Sequence, residues 1–505
     1  MKECNKTEKW PPEVKQTPSR FRRPLSKYKI IRNENCDNCG ICVDVCPYGV
    51  HKFVGKKVQS PNEHYCIGFA CQGTDHYCID KCPQNALSLV QNPTMEALGD
   101  HRWPADLILG TWYQAEYGRP PAHLEYKIGD SGDGFDRLRF NFELDNQTPT
   151  SWEIDPEIST SIELNRRGDN RPQVTISVPW YGGGMSFGSI SLTVMLARAK
   201  ACAAWNTFTC TGEGGYPDEL VPYKDYIITQ IATGLFGVRE ETIKRARIVE
   251  FKYAQGAKPG LGGHLLGDKV TPAVARMRQS IPGMSLFSPF PFHSVYSVED
   301  HKKHIDWVKE INPKALIAVK VSTPNDVDMV AIGSYYAGAH IIFLDGSYGG
   351  TGAAPDIAKK NIAMPIELAV PKVHRFLVEE GVRDKVVLMA GGGIRTAYDI
   401  AKIIALGADG VVTGTSELVA LECTRCHNCE SGKGCPRGIA TTDPRLSAMV
   451  KLDWAAQRIS NLFYSWYLQL IDILKRLGMK SVKELVGRTD CLVYIERYEK
   501  ENEKK

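Results

Sequence analysis

The chain has 505 residues, of which 43% are apolar, and a formal net charge of +4. That length predicts two or three domains with a large buried core. The charge is too small to argue for nucleic acid, and no apolar run approaches the roughly 20 residues of a membrane span, so neither nucleic acid nor membrane is an expected partner.

Residues 1–30 read as an extended tail punctuated by prolines, without a helical or strand period. Arg20, Arg22, Arg23, Lys27, Lys29 and Arg32 make its end basic, and a solvated connector is a plainer reading of that run than a docking arm for an acidic partner. Residues 1–15 lack the apolar run of a secretory signal, so a reducing, cytoplasmic setting is expected.

Residues 31–92 carry the first strong signal. Cys36, Cys39, Cys42 and Cys46 precede Pro47 in the run C-x2-C-x2-C-x3-C-P. Three thiolates of such a turn converge on one cubane cluster while the fourth reaches the neighbouring one. Cys66, Cys71, Cys78 and Cys82 follow, before Pro83, with less regular gaps. The reading is a ferredoxin-like α+β unit with two [4Fe–4S] clusters and short strands over 29–31 and 87–90. Cys82 would complete the set of Cys36, Cys39 and Cys42, and Cys46 would join Cys66, Cys71 and Cys78. Four thiolates also suit tetrahedral zinc, an alternative that stays open for the second run. Cys4, Cys202, Cys210 and Cys491 have no partner spacing and read as ordinary small residues.

Residues 93–170 are rich in Trp, Asp, Gly and Pro without periodicity and read as a connecting segment. From 171 to 445, apolar runs of strand length alternate with helical stretches. Candidate strands are 174–178, 207–211, 226–231, 248–253, 284–287, 315–321, 340–344, 385–390 and 410–413. Runs rich in β-branched residues, buried on both faces and followed by helices, predict a parallel α/β sheet. The length and repeat number favour a (β/α)8 TIM barrel over an open doubly wound sheet, with one of the candidates left over as an accessory strand. A third thiol group, Cys423, Cys426, Cys429 and Cys435 before Pro436, lies in the loop after the last strand. Residues 446–505 read as a charged helical segment packed beneath the barrel.

Gly391, Gly392 and Gly393 follow one late strand, and Gly414 with Thr415 follows the next. In barrels these are positions where backbone N–H groups cradle a phosphate, although a tight turn is an equally simple reading of a glycine triplet alone. Lys320, near the end of its strand, suits either a place beside a flavin ring or an ion pair with a core carboxylate such as Asp345. Asp345 opens the glycine-rich loop Asp345-Gly346-Ser347-Tyr348-Gly349-Gly350-Thr351-Gly352.

Over about 180–445 the chain resembles the flavin-binding synthase domain of glutamate synthases. The resemblance rests on Gly184-Met185-Ser186-Phe187-Gly188, Thr211-Gly212-Glu213-Gly214-Gly215, Ala232-Thr233-Gly234-Leu235-Phe236-Gly237-Val238, Ala254-Gln255-Gly256-Ala257-Lys258-Pro259-Gly260, Gly262-Gly263, Tyr296-Ser297-Val298-Glu299-Asp300, the Asp345 loop and Gly438-Ile439-Ala440-Thr441. With the ferredoxin-like unit in front, it looks like the archaeal-type stand-alone subunit of that family. The resemblance implies FMN over the barrel mouth, held by Met185, Ser186, Gln230, Lys320, Asp345, Gly349, Gly350 and the late glycine loops. It also implies reduction of 2-iminoglutarate to L-glutamate, with Gln255, Lys258 and Arg278 matching the positions that hold 2-oxoglutarate. Glu213 is a candidate for proton management or substrate orientation, although a glycine-flanked glutamate also suits a helix cap. Tyr216 and His264 stand where the family usually has glutamate and glutamine beside the substrate, which leaves the 2-oxo acid or the amine open. An N-methylglutamate-forming relative and a non-catalytic electron-transfer subunit are the alternatives. Four cysteines at the barrel loop, where fused relatives use three for [3Fe–4S], point to a [4Fe–4S] centre there, with [3Fe–4S] left open as the alternative.

The expected path takes electrons from the ferredoxin-like unit through the third cluster to FMN. Cys4 would serve as a glutaminase nucleophile only after removal of three residues, so ammonia is expected from a separate glutaminase subunit. No G-x-G-x-x-G follows a predicted strand, and the electron donor is therefore expected to be a ferredoxin or an NAD(P)H-oxidising flavoprotein subunit. An oligomer is expected.

Overall fold

Eight short strands close into a parallel barrel in which every strand neighbours the next in sequence. They are β1 (Trp180–Gly182), β2 (Thr209–Cys210), β3 (Ile227–Ala232), β4 (Ile248–Lys252), β5 (Leu316–Ser322), β6 (Ile341–Asp345), β7 (Val387–Gly391) and β8 (Gly410–Thr413). Runs such as Ile-Ile-Thr-Gln-Ile-Ala in β3 and Ile-Ile-Phe-Leu-Asp in β6 are buried throughout, as strands covered on both faces must be. The outer layer includes α1 (Leu192–Ala204), α2 (Val298–Ile311), α3 (Val327–Ala337), α4 (Ile366–Glu379) and α5 (Ala397–Ala405). Side-chain caps at Ser191, Ser297 and Thr396 satisfy the first amides of α1, α2 and α5. The structure is a computed structural model and describes residues 10–20, 25–121, 134–142, 152–349, 352, 354–430, 432 and 434–495.

Two of the nine strand candidates lie outside the barrel, not one. The 174–178 candidate becomes Thr175–Ile176, paired antiparallel with Ile162–Glu163, and the 284–287 candidate becomes Leu286–Phe287, paired with His264–Leu265. The vacated barrel place belongs to Trp180–Gly182, a three-residue strand ending in glycine and too short to show a period. The barrel interior is also more polar than unbroken apolar strands imply. Gln230, Glu250, Lys252, Lys320 and Asp345 are all buried, and register sets Gln230 beside Glu250 and Lys252 beside Lys320.

The structure divides into two compact units, Pro18–Ile108 and Met1–Thr17 with Leu109–Lys505. In the smaller unit the strand Tyr28–Arg32 pairs antiparallel with Leu87–Gln91, Ile30 opposite Leu89. Its small apolar core is Ile30, Val50 and Leu87, with Cys42, Cys46, Cys66, Cys78 and Cys82 packed against it. Of the basic run, Arg32 donates to the carbonyls of Val58 and Gln59, and Lys27 lies 3.9 Å from Asp106.

In the larger unit, α6 (Leu452–Arg476) is the longest helix described and buries most of its length, with Trp466 edge-on to Trp180 of β1. No helix among the described residues is long and apolar enough to cross a membrane. Residues 10–17 run along α6. Asn461 Nδ2 donates to the Lys15 and Ala115 carbonyls, the buried Arg458 guanidinium donates to those of Thr17, Trp112 and Ala420, and Trp10 meets Trp205 edge-on and Tyr467 at a tilt. This stretch of the tail is therefore strapped to the fold, because its carbonyls satisfy polar groups buried on α6. Cys4, Arg22, Arg23, Gly350 and Thr351 lie outside the described residues.

Candidate active site

Because all eight strands are parallel, the loops after their last residues share one rim. The sequence-singled loops all begin there: 183–188 after β1, 211–216 after β2, 233–238 after β3, 253–263 after β4, 346–352 after β6, 392–394 after β7 and 414–415 after β8.

One cavity collects Glu213, Lys252, Gln255 and Lys258 together with Thr233, Gly260, Gly262, Gly263 and Phe290. Lys252 Nζ donates to Glu213 Oε2 at 3.0 Å, and Ser288 Oγ donates to the same oxygen at 3.2 Å. Burial opposes the charge on Glu213, but Lys252, with Arg278 and Lys258 behind it, outweighs burial and holds the carboxyl down to about 2. Glu213 is thus a fixed anion, and it caps no helix. Lys258 is pulled down to about 8, chiefly by burial and then by Lys252, with Glu213 acting the other way. Its Nζ lies 3.1 Å from Nδ1 of His264. Arg278, lowered to about 10 by burial, donates from Nη2 to Ser186 Oγ at 2.8 Å and to the Phe187 carbonyl, while its buried Nε has no partner.

Tyr216 stands apart from the cavity. It is 4% exposed, belongs to the main apolar core, and donates its hydroxyl to the Leu220 carbonyl at 3.4 Å. Lys252 was missing from the sequence reading. Its signal was the alternation of Glu250 and Lys252 along a strand, two charges two residues apart and so on the same face.

Deeper in the barrel, Gln230 Nε2 donates to Glu250 Oε1 at 2.6 Å and lies 3.6 Å from Cys210 Sγ. Burial raises the Glu250 pKa, Lys320 opposing it. Lys320 pairs with Asp345 at 3.1 Å, so the core ion pair is present at the strand end facing the rim. Burial works against the ammonium charge, but Asp345 and Glu250 overcome it and raise the Lys320 pKa. Asp345 Oδ2 also accepts from the Gly256 amide at 3.0 Å. A Cβ on Gly256 would lie 1.7 Å from the Gly346 carbonyl oxygen, and one on Gly349 would lie 2.2 Å from Asp345 Oδ1. Gly256 is therefore needed for contact between the loops after β4 and β6, and Gly349 for the tight turn within the loop after β6.

Of the late glycines, Gly392 is packed like these, since its Cβ would lie 2.8 Å from the Gly346 carbonyl oxygen. Gly392 and Gly393 have φ of 103° and 83°, the left-handed region that favours glycine, whereas a Cβ on Gly414 would meet nothing closer than Met185 Cε at 3.5 Å. Beside these loops the buried hydroxyls of Ser347 and Ser416 have no hydrogen-bond partner. The open space at Gly414, flanked by two unsatisfied hydroxyls, fits the phosphate group of a flavin mononucleotide. Neither serine was singled out in the sequence, because a lone serine after a strand carries no pattern.

The thiols gather in quartets. One cavity is lined by Cys36, Cys39, Cys42 and Cys82 and another by Cys46, Cys66, Cys71 and Cys78. The irregular second run thus still brings three of its thiols to one cavity, joined there by Cys46 of the first run. Amides point at sulfur in all three groups, from Ala86 to Cys82 at 3.3 Å, Gly68 to Cys66 at 3.4 Å and Arg425 to Cys423 at 3.5 Å. Hydrogen bonds of this kind tune the potential of cluster-ligating thiolates, and the donor sets fit iron–sulfur clusters. Burial, followed by the crowding of Cys46 and Cys66, pushes the Cys78 thiol up to about 12, and His51 Nε2 lies 3.4 Å from its sulfur. In the third group, Cys435 is buried, Cys423 and Cys429 are half-buried and Cys426 is exposed. Cys202 and Cys210 are buried apart from all three groups.

A barrel whose rim gathers buried charge, in a chain with thiol quartets amid sulfur-directed amides, is that of an iron–sulfur oxidoreductase. Residues 131–480 match the family model described as the conserved region in glutamate synthase, and residues 29–50 match a 4Fe-4S binding domain. The archaeal-type glutamate synthase [NADPH] of Thermotoga maritima is 36% identical over 96% of this chain and 97% of its own length. The archaeal-type enzyme of Dehalococcoides mccartyi is 36% identical over 92% and 94%, and the archaeal glutamate synthase [NADPH] of Methanocaldococcus jannaschii 34% over 94% and 97%. The chain belongs to the glutamate synthase family.

Proposed function

We propose that this chain is a synthase subunit that reductively aminates 2-oxoglutarate to L-glutamate through 2-iminoglutarate. The gathering of Lys252, Lys258, Gln255 and Glu213 around one rim cavity carries this reading. Glu213 offsets one cation, and the surplus positive charge with the Gln255 amide suits a dicarboxylate. Lys258 and Arg278, through its unpartnered Nε, hold the carboxylates. Glu213 binds its proton too weakly to serve as an acid at rest; it keeps Lys252 aimed into the cavity. Lys258, lowered to about 8, is suited to give a proton from Nζ to the forming amine.

The rim glycines with Ser347 and Ser416 would hold FMN, joined by Met185, Ser186, Gln230, Lys320 and Asp345. FMN supplies acceptance of single electrons and delivery of a hydride, which no side chain here can do. Cys36, Cys39, Cys42 and Cys82 would hold one [4Fe–4S] cluster, Cys46, Cys66, Cys71 and Cys78 a second, and Cys423, Cys426, Cys429 and Cys435 a third. Ammonia would come from a separate glutaminase subunit. The names of the relatives support NADPH as the source of electrons, delivered by a partner.

The test mixes anaerobically reduced holoprotein with 2-oxoglutarate and ammonia. Glutamate formation with flavin reoxidation supports the reading. An unchanged flavin spectrum would mean a relay without catalysis, and faster reoxidation with methylamine would assign the amine differently.

A further inference from the structure

We propose that His264 is a positioning residue that couples the dicarboxylate pocket to the third cysteine group, so that filling the pocket shifts the redox potential of the centre held by Cys423, Cys426, Cys429 and Cys435. This rests on the reading above, that Lys258 binds a carboxylate and that those cysteines hold an iron–sulfur centre.

The imidazole is strung between two charges. Lys258 Nζ lies 3.1 Å from Nδ1, and Glu430 Oε1 lies 3.3 Å from Nε2. An ammonium only donates, so Nδ1 accepts, the ring proton sits on Nε2, and Nε2–H donates to the carboxylate. Burial and the Lys258 charge both lower the His264 pKa, in keeping with a ring that carries one proton. Glu430 directly follows Cys429. Pocket cation and cluster loop are thereby joined through one side chain, at a position where the family resemblance leads one to expect glutamine.

The same stretch of chain grips the cluster loop twice more. Asp268 Oδ2 accepts from the Gly432 amide at 2.7 Å, and Lys269 Nζ donates to the carbonyls of Cys429 at 2.6 Å, Ala440 at 3.1 Å and Ser189 at 3.4 Å. Pairing of His264–Leu265 with Leu286–Phe287 stiffens its middle. Residues 258–269 thus form a strap from the pocket to the loop. A carboxylate that takes Lys258 competes with Nδ1 and brings negative charge to one end of the strap. Charge and hydrogen bonding around cluster sulfurs set their potential, so the occupied pocket makes the centre harder to reduce. By reciprocity, reduction of the centre weakens dicarboxylate binding by the same factor.

The experiment is an anaerobic redox titration of the holoprotein, following the EPR signal that disappears in C435A, with and without saturating 2-oxoglutarate. Binding of 2-oxoglutarate is measured in the same samples by equilibrium dialysis. The expected result is a lower midpoint potential with 2-oxoglutarate in the natural protein, retention of the shift in H264Q, whose amide both accepts and donates, and its loss in H264A. E430A, which leaves the imidazole in place, carries the same expectation and decides the matter if H264A does not assemble its clusters. An equal shift in H264A or E430A, or no shift in the natural protein despite measured binding, overturns the coupling alone. Absence of a C435-dependent signal, or of 2-oxoglutarate binding, overturns the underlying reading with it.

Discussion

The Glu213 carboxylate and the Lys252 ammonium meet at 3.0 Å, one from the loop after β2 and the other from the last position of β4. Both are largely buried, so each is the other's main compensation for leaving water. Gly263 lies against this pair; a Cβ there would stand 1.8 Å from Glu213 Oε1. Gly263→Ala must displace the carboxylate. We expect kcat/KM for 2-oxoglutarate to fall about 10- to 100-fold, the worth of a charge-assisted hydrogen bond, with EPR of the clusters unchanged. Unchanged kinetics would show that the pair plays no part in the pocket.

If Lys258 binds a carboxylate as proposed, it sets a pH limit on binding. Its folded-state pKa is lowered to about 8, so the ammonium is present below that pH and lost above it. Affinity of the free enzyme for a dicarboxylate should therefore be flat below pH 8 and weaken by up to about tenfold per unit above it. A pH profile of kcat/KM for 2-oxoglutarate reads this directly. Lys258→Met should lower affinity throughout and abolish the bend; a bend that persists belongs to another group.

The quartets make the two cysteines at the ends of the runs distinguishable. Cys82 lines the cavity of Cys36, Cys39 and Cys42, and Cys46 that of Cys66, Cys71 and Cys78. C82A should damage the first centre and C46A the second, as seen by iron content and EPR of C82A combined with C36A against C82A combined with C66A. The first combination should spare the second centre, whereas the second combination should damage both. The opposite pattern would mean that each run closes on its own cluster.

Arg198 on α1 and Glu417 after β8 form a pair at 2.6 Å in which both side chains are buried, and Glu417 Oε1 also accepts from Thr413 Oγ1. Removing one partner strands a buried charge, so E417Q should lower stability by about 3–5 kcal/mol, whereas replacing both partners with apolar residues should recover much of that loss. Denaturant unfolding of E417Q and of R198M/E417L tests this. Equal loss in both would mean that packing, rather than charge, holds α1 against β8.

Much of the molecule was legible in the residues themselves. The C-x2-C-x2-C-x3-C-P run, the alternation of strand and helix that marks seven of the eight barrel strands and the glycine loops after late strands are local patterns, set by ligand geometry, backbone pairing and steric room, and a linear sequence displays them. Lys258, Gln255 and Glu213 stood out through motif resemblance, and the structure brings them to one cavity. What only the tertiary structure decided was partnership across the barrel. Lys252 finds Glu213, Lys320 finds Asp345, and His264 spans Lys258 and Glu430, through contacts between residues up to 166 positions apart. Tyr216, adjacent in sequence to the glycine run, turns into the core, and Trp180–Gly182 fills a barrel place too short to announce itself. A side chain's charge is written in the sequence; which opposite charge it meets depends on closure of the barrel, because only closure brings the eight loops onto one rim.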